Sequence, residues 1–381
     1  MKAEIEEQKS QHMSILQKHL NEIKRIQSRI DKTLLNLNRI KESNEVSLAM
    51  DYISQTEEFS NLLPRVHVSL PTFNSKTKEI DHFSKLFGSL TPLSKSKKKN
   101  SYTLKTSTKE LLKEPKLYTT INTRYDNLLG VTCFGAEIWT RTLKVSDLKC
   151  YNIHGSLMKT IQTKSGRMPN DIAVTDDGDL LYSDWSNGTV YKVRNGQTEE
   201  VIKLQGWTPI NLCVTSSGHL LVTMCSDDKN KSKVVRFSGL KETQTIQFGD
   251  KGEPLYSGKH ETKYISENRN LDICVADKDV SALVIVNHSG KVRFRYTGHP
   301  STTKNNKSFV PYGIATDSLG QILTTDRENN CIHILNKDGL FLCCIKNCDL
   351  KSPYGLYVDK RDDLFVAENY TGHVKKIQYM K

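Results

Sequence analysis

The sequence predicts an N-terminal α-helical coiled coil followed by an all-β six-bladed β-propeller. Two patterns carry this prediction: an apolar stripe with a 3.5-residue period near the N-terminus, and a short strand motif that recurs six times toward the C-terminus. Between them lies a lysine-rich stretch with no periodicity. The 381 residues divide accordingly into a coiled coil over 1–62, a basic Ser/Lys-rich linker over 63–116, and a propeller over 117–381.

In the first segment Met13, Leu20 and Leu34 take one seam position, while Leu16, Ile23, Ile30 and Leu37 take the other. Only a 3.5-residue period keeps such a seam facing a partner helix. Gln27 interrupts the first seam, as polar residues that set register do. This reading predicts self-association as a dimer. The linker follows, with Pro64, Pro71, Gly88 and Pro92 breaking regular structure.

The net charge of +12 suggests a nucleic-acid partner until its position is considered. Residues 1–116 hold 21 Lys/Arg against 14 Asp/Glu, whereas 117–381 hold 34 against 29. Lys95, Lys97, Lys98 and Lys99 concentrate the excess in the linker, where a block of like charge is usually solvated chain. No run approaches the roughly 18 apolar residues of a membrane span, and the first 30 residues lack a signal peptide's apolar core. Nine cysteines scattered from Cys133 to Cys348 fit a reducing compartment better than a disulfide framework. The expected location is cytoplasmic, without a membrane partner.

The motif of the third segment is seen in Gly178-Asp-Leu-Leu-Tyr-Ser-Asp184, Gly218-His-Leu-Leu-Val-Thr-Met224 and Asn270-Leu-Asp-Ile-Cys-Val-Ala-Asp277. It returns in Gly320-Gln-Ile-Leu-Thr-Thr-Asp326 and Asp362-Asp-Leu-Phe-Val-Ala-Glu368, with a weaker copy ending at Arg141. Copies are 40 to 53 residues apart, each within a four-strand unit, and in the fifth unit the strands are 312–316, 321–325, 331–335 and 340–345. The sixth unit runs out of chain after three strands. Residues 117–124 are β-rich and unclaimed, so they are expected to supply the missing strand, close the ring and cover its open edge.

Met168-Pro-Asn-Asp-Ile-Ala-Val-Thr-Asp-Asp-Gly-Asp-Leu-Leu-Tyr-Ser-Asp184 and Pro311-Tyr-Gly-Ile-Ala-Thr-Asp-Ser-Leu-Gly-Gln-Ile-Leu-Thr-Thr-Asp326 resemble NHL repeats. A coiled coil before an NHL-type propeller is similar to the C-terminal two-thirds of tripartite-motif (TRIM-NHL) proteins. Leu204-Gln-Gly-Trp207 and Tyr264-Ile-Ser-Glu-Asn-Arg-Asn-Leu-Asp272 resemble the molluscan members. The resemblance implies the substrate-recognition half of an E3 ubiquitin ligase, whose activity resides in a RING finger preceding the coiled coil. No cysteine precedes Cys133 and no zinc-finger spacing occurs, so no cofactor is expected here. Zinc would belong to an upstream RING or B-box, if the full-length protein has one.

Features repeated in every blade are architecture, and features unique to one blade are candidates for function. The acids Asp184, Asp277, Asp326 and Glu368 recur, and they read as turn acceptors rather than catalytic carboxylates. Asp176-Asp-Gly-Asp179 reads as a hairpin turn, since it lacks the remaining spacing of a calcium loop. In a four-strand meander the turn between strands two and three shares a face with the connection to the next blade. The irregular segments fall there, and rigidly mounted loops of this kind usually carry binding residues.

On that face the expected partner-binding residues are Trp185, Asn187, Trp207, Lys229, Lys231, Lys233, Arg327, Asn329 and Tyr370. The expected ligand is a target protein. Single-stranded RNA is the alternative, supported by Lys229, Lys231 and Lys233 together with Lys164, Arg167, Lys304, Lys307 and Arg327, and opposed by Asp227, Asp228, Glu328 and Glu368 and the propeller's modest net charge. A metal-dependent propeller enzyme would need histidines or carboxylates converging on the axis, and the histidines follow no repeat logic. No catalytic residues are assigned.

Overall fold

The computed structural model describes residues 109–258, 262–300 and 307–381, with isolated positions before residue 109. The chain divides into two units, Met1–Ser101 and Tyr102–Lys381. In the first, the described residues are six single helical positions, among them Gln17 and Asn21, and a two-residue strand pair, Phe73–Asn74 with Ser89–Leu90.

The expected fold class is corrected here. Among the described residues the fold is an all-β six-bladed propeller with a single 3-10 turn, Lys278–Val280, and no α-helical element. The seam residues Met13, Leu16, Leu20, Ile23, Ile30, Leu34 and Leu37 all lie outside the described residues. A heptad stripe marks an apolar face but does not itself make a helix pair. An isolated helix gains its stability from what covers that face.

Six four-stranded antiparallel sheets make the propeller. Blade 1 comprises Leu128–Phe134, Glu137–Thr142, Asp147–Tyr151 and Leu157–Gln162. The inner strands of blades 2, 3 and 4 are Asp171–Val174, Trp207–Val214 and Lys263–Glu267. Blade 5 comprises Pro311–Thr316, Ile322–Asp326, Cys331–Leu335 and Phe341–Ile345. Within each blade the outermost strand is the most exposed. The second strand of blade 4, Ile273–Asp277, is wholly buried, whereas Leu157–Gln162 at the rim of blade 1 is nearly all exposed.

The hydrophobic core lies between blades rather than within them. One cluster joins Tyr182 and Ile172 of blade 2 to Trp139 and Leu148 of blade 1, and five more continue round the ring. Strands sandwiched between neighbours on both faces must be apolar on both, so the motif copies read as continuous apolar runs. Asx turns fix the hairpins on one face. Asn336 Oδ1 accepts from the N–H groups of Asp338 and Leu340, and Asp359 Oδ1 from those of Arg361 and Asp363.

Blade 6 joins Pro353–Val358, Asp363–Glu368 and His373–Met380 to Leu111–Asn122. The closing strand pairs from Asn122 opposite His373 to Leu111 opposite Met380, so it begins six residues before the segment read from sequence. Pro115 is tolerated because this strand is the outer edge, where one row of N–H groups has no ladder partner to lose. Its carbonyl instead accepts from Asn347 Nδ2 at 2.9 Å.

Candidate functional site on the loop-rich face

The inner strands of all six blades enclose an axial cavity of about 270 Å³, with Thr132, Ala173, Cys213, Ile265, Ala315 and Leu356 contributing one side chain per blade. Arg141 bridges this axis. The sequence aligned it with the recurring acids, but the register places Thr142 at their position, opposite Leu128. Arg141 therefore stands where blades 2, 5 and 6 carry Ser183, Thr325 and Ala367. The room for it comes from Gly130, where a Cβ would lie 2.9 Å from the Arg141 side chain.

Arg141 Nη2 donates to Tyr264 OH of blade 4 at 2.8 Å, and Nε lies 3.5 Å from Asp171 Oδ1 of blade 2. Tyr264 OH in turn donates to Leu129 O at 2.7 Å. Burial pushes the Asp171 carboxyl above the usual carboxylate range, although Arg141 and the Leu212 N–H hold against it. Glu267, also lining the axis, is paired with Arg236 at 2.9 Å. Asp176, the third carboxylate of the lining, meets Lys360 at 3.0 Å, so all three axial carboxylates face a cation, which makes the channel a braced interior rather than an open ligand cage.

Of the recurring acids, Asp184 accepts from its own turn, the Ser186 N–H, whereas Asp277 and Glu368 accept from the Ser257 and Lys351 N–H groups of the segments that lead into their blades. Asp179, in the calcium-like turn, is clamped by Arg194, and that bond holds its carboxyl below the usual range. Among the described residues one group, Asp326, Cys331 and His333, combines ligand types that a metal could use, and all three are buried. Its counterpart in blade 6 is the ion pair of Glu368 with Lys375 at 3.1 Å. His333 Nε2, 3.4 Å from Asp326, occupies the cation's place in the same arrangement, so the group reads as blade architecture.

The residues expected to bind a partner fall into two groups. Around blades 2 and 3, Trp185 is 39% exposed, while Asn187 donates to Tyr191 OH at 2.8 Å. Trp207 is half-buried with Lys233 Nζ 4.2 Å from its ring, and Lys229 and Lys231 are exposed beside it. Around blades 5 and 6 the structure brings Arg327 and Tyr370 together. Nη2 of Arg327 donates to Tyr370 OH at 2.7 Å, Nη1 to Tyr312 OH at 3.3 Å, and Nε to Ser352 Oγ at 3.0 Å. Tyr370 is 70% exposed.

Asn329 departs from expectation. It is 2% exposed and donates to Asp326 Oδ2 at 2.8 Å, serving the turn and presenting no surface. Lys304 lies outside the described residues.

Arg327 and Tyr370 line a recess of about 300 Å³ with Lys307, Glu328, Asn330, Lys351 and Ser352. Aromatic and cationic side chains run inward from it. The Arg327 guanidinium lies 5.4 Å from the Tyr312 ring, which packs 4.3 Å from Tyr354, itself 6.1 Å from Tyr264. Burial works against the Arg327 cation, but Tyr312, Tyr370 and Glu328 outweigh it and hold the guanidinium firmly charged. Tyr312, Lys351 and Ser352 escaped the sequence reading because they converge only when blades 5 and 6 pack.

These features define a six-bladed β-propeller with a polar, aromatic recess on its loop-rich face. More particularly, residues 310–335, the first three strands of blade 5, match the NHL repeat. No curated protein matches the sequence. A calcium-binding regucalcin from Agrobacterium tumefaciens is similar in structure at 12% identity, with 69% of this chain and 94% of that one covered and a TM-score of 0.53. A gluconolactonase from Xanthomonas campestris gives 12% identity, 71% and 96% coverage, and a TM-score of 0.53. A Bacteroides thetaiotaomicron protein of unknown function gives 12%, 70% and 72%, and 0.52. At these identities the likeness is one of fold alone.

Proposed function

We propose that this chain is a partner-binding scaffold whose loop-rich propeller face captures a target protein. In the finer reading it serves as the substrate-recognition half of a tripartite-motif-type ubiquitin ligase. The observation that carries the binding reading is the recess at blades 5 and 6, where an arginine is held in a fixed orientation beside a largely exposed tyrosine. Arginine and tyrosine are the residue types that dominate interface energetics when so placed. The cation-paired carboxylates of the axis favour binding over hydrolysis, because a propeller hydrolase needs such carboxylates for a metal. Nine cysteines, none of them in a disulfide, fit a reducing, cytoplasmic setting. No helix among the described residues is long and apolar enough to cross a membrane.

The test is substitution by face. Partner proteins crosslinked to the chain in cells, and the ubiquitin they carry, should be lost with Trp185→Ala/Tyr370→Ala. They should survive Lys337→Glu/Lys360→Glu, which alters turns on the opposite face. Equal loss from both variants would remove the assignment. RNA remains a second reading on one observation, the Lys233–Trp207 stack beside exposed Lys229 and Lys231. It predicts tight, steeply salt-dependent binding of single-stranded RNA, and no binding at low salt would eliminate it.

A further inference from the structure

We propose that the recess between blades 5 and 6 is a carboxylate site that takes an Asp or Glu side chain from an acidic segment of the partner protein. This rests on the partner-binding reading and names the chemistry of the contact.

The argument begins with the donors of Arg327. A guanidinium carries five N–H groups and accepts nothing. Three are directed at neutral oxygens: Nε at Ser352 Oγ, Nη1 at Tyr312 OH and Nη2 at Tyr370 OH. That leaves one N–H on each Nη for the oxygens of a carboxylate. Among the described residues no carboxylate hydrogen-bonds to the guanidinium. The Glu328 carboxylate stands 3.8 Å from Nη1, beyond hydrogen-bond reach. A buried-side arginine oriented by hydroxyls instead of an acid keeps its charge available to a ligand. The rings of Tyr312 and Tyr370, 5.4 and 5.2 Å from the guanidinium carbon, fix its position. The ordering cost is thus met before binding.

Charge in the lining agrees. Lys307, Arg327 and Lys351 face one acid, Glu328. Lys307 Nζ is directed at the Glu328 carbonyl at 3.2 Å and is 3.9 Å from its carboxylate, while Lys351 is 3.6 Å from Asp349. Both lysines are more than half exposed and can turn toward an incoming anion. The recess of about 300 Å³ holds one or two side chains, and a single pocket of that size favours a peptide carboxylate over the extended phosphate track a nucleic acid needs.

The probe is a fluorescein-labelled ten-residue Asp/Glu peptide, read by anisotropy on the whole chain. Its Asn/Gln counterpart and a phosphoserine peptide serve as comparisons. The acidic peptide should bind and the amide peptide should not. Arg327→Lys, which keeps the charge but loses the fork, should weaken binding about tenfold, and Tyr370→Phe, which keeps the ring but loses the hydroxyl, about threefold. Thermal melts check that each variant folds. If Arg327→Lys does not fold, Lys351→Gln on the exposed rim replaces it, with about threefold weakening expected. Equal binding of acidic and amide peptides, wild-type affinity in the variants, or binding of the phosphoserine peptide alone would each overturn the proposal. If the acidic peptide fails while Trp185→Ala/Tyr370→Ala still abolishes partner capture, only the carboxylate assignment falls.

Discussion

Arg141 stands at a position where other blades place Ser, Thr or Ala, and it reaches from blade 1 to Asp171 and Tyr264 on two other inner strands. Removing it leaves a buried carboxylate without its cation, an error that costs about 3–5 kcal/mol. Arg141→Ala should therefore lower stability in urea by roughly that amount, and adding Asp171→Asn should restore part of it. Wild-type stability in Arg141→Ala would contradict the bracing role. Asp317 offers a test in pH. Burial pushes its carboxyl up to about 6, with Asp362 adding to the rise and the Gln321 and Leu319 N–H groups opposing it. A raised folded pKa means that its contribution is fully present below about pH 4 and is lost as pH rises through about 6. Asp317→Asn keeps an acceptor for those N–H groups, so the variant should gain about 2 kcal/mol over wild type at pH 7.5 and lose that advantage at pH 4. A pH-independent difference between the two would refute the linkage. Of the candidate residues, Arg327 and Tyr370 were legible in sequence because irregular loops announce themselves. Arg141 was not, because a one-residue alignment slip hid it among the turn acids.

At the scale of elements, the blades were legible because every strand must be apolar enough to pack between neighbours while Gly, Asn and Asp end it. The N-terminal stripe was equally periodic, yet the all-β architecture contains no counterpart among the described residues. A repeat that packs on its own copies carries its confirmation within the chain, and a single amphipathic stripe does not. The closing strand Leu111–Asn122 lies between these cases. Its pairing with His373–Met380 was foreseeable from the missing fourth strand, but its start at Leu111 depended on the partner's length, since Tyr379 and Met380 are buried and need cover. A chain beginning at Tyr125 loses this whole strand and exposes the edge of His373–Met380. It should melt well below the intact protein and aggregate on heating. Identical melting of the two would show that the ring closes without it.

Across the whole molecule, the proposed function is separated from stability by face. The axis is braced by buried ion pairs and the cores lie between blades, while the opposite face carries Asx hairpins of similar design. Among the described residues the loop-rich face combines an oriented arginine with exposed aromatics and exposed lysines. The basic composition that suggested nucleic acid contributes little to this distinction, because most of the excess charge precedes the propeller. Lysine-reactive crosslinking of the intact chain to its captured partner, with the crosslinked sites read by mass spectrometry, tests this separation most directly. The account predicts crosslinks at Lys229, Lys231, Lys307 and Lys351, all exposed on the loop-rich face. Crosslinks confined to Lys291, Lys337 and Lys360, exposed on the opposite face, would contradict it.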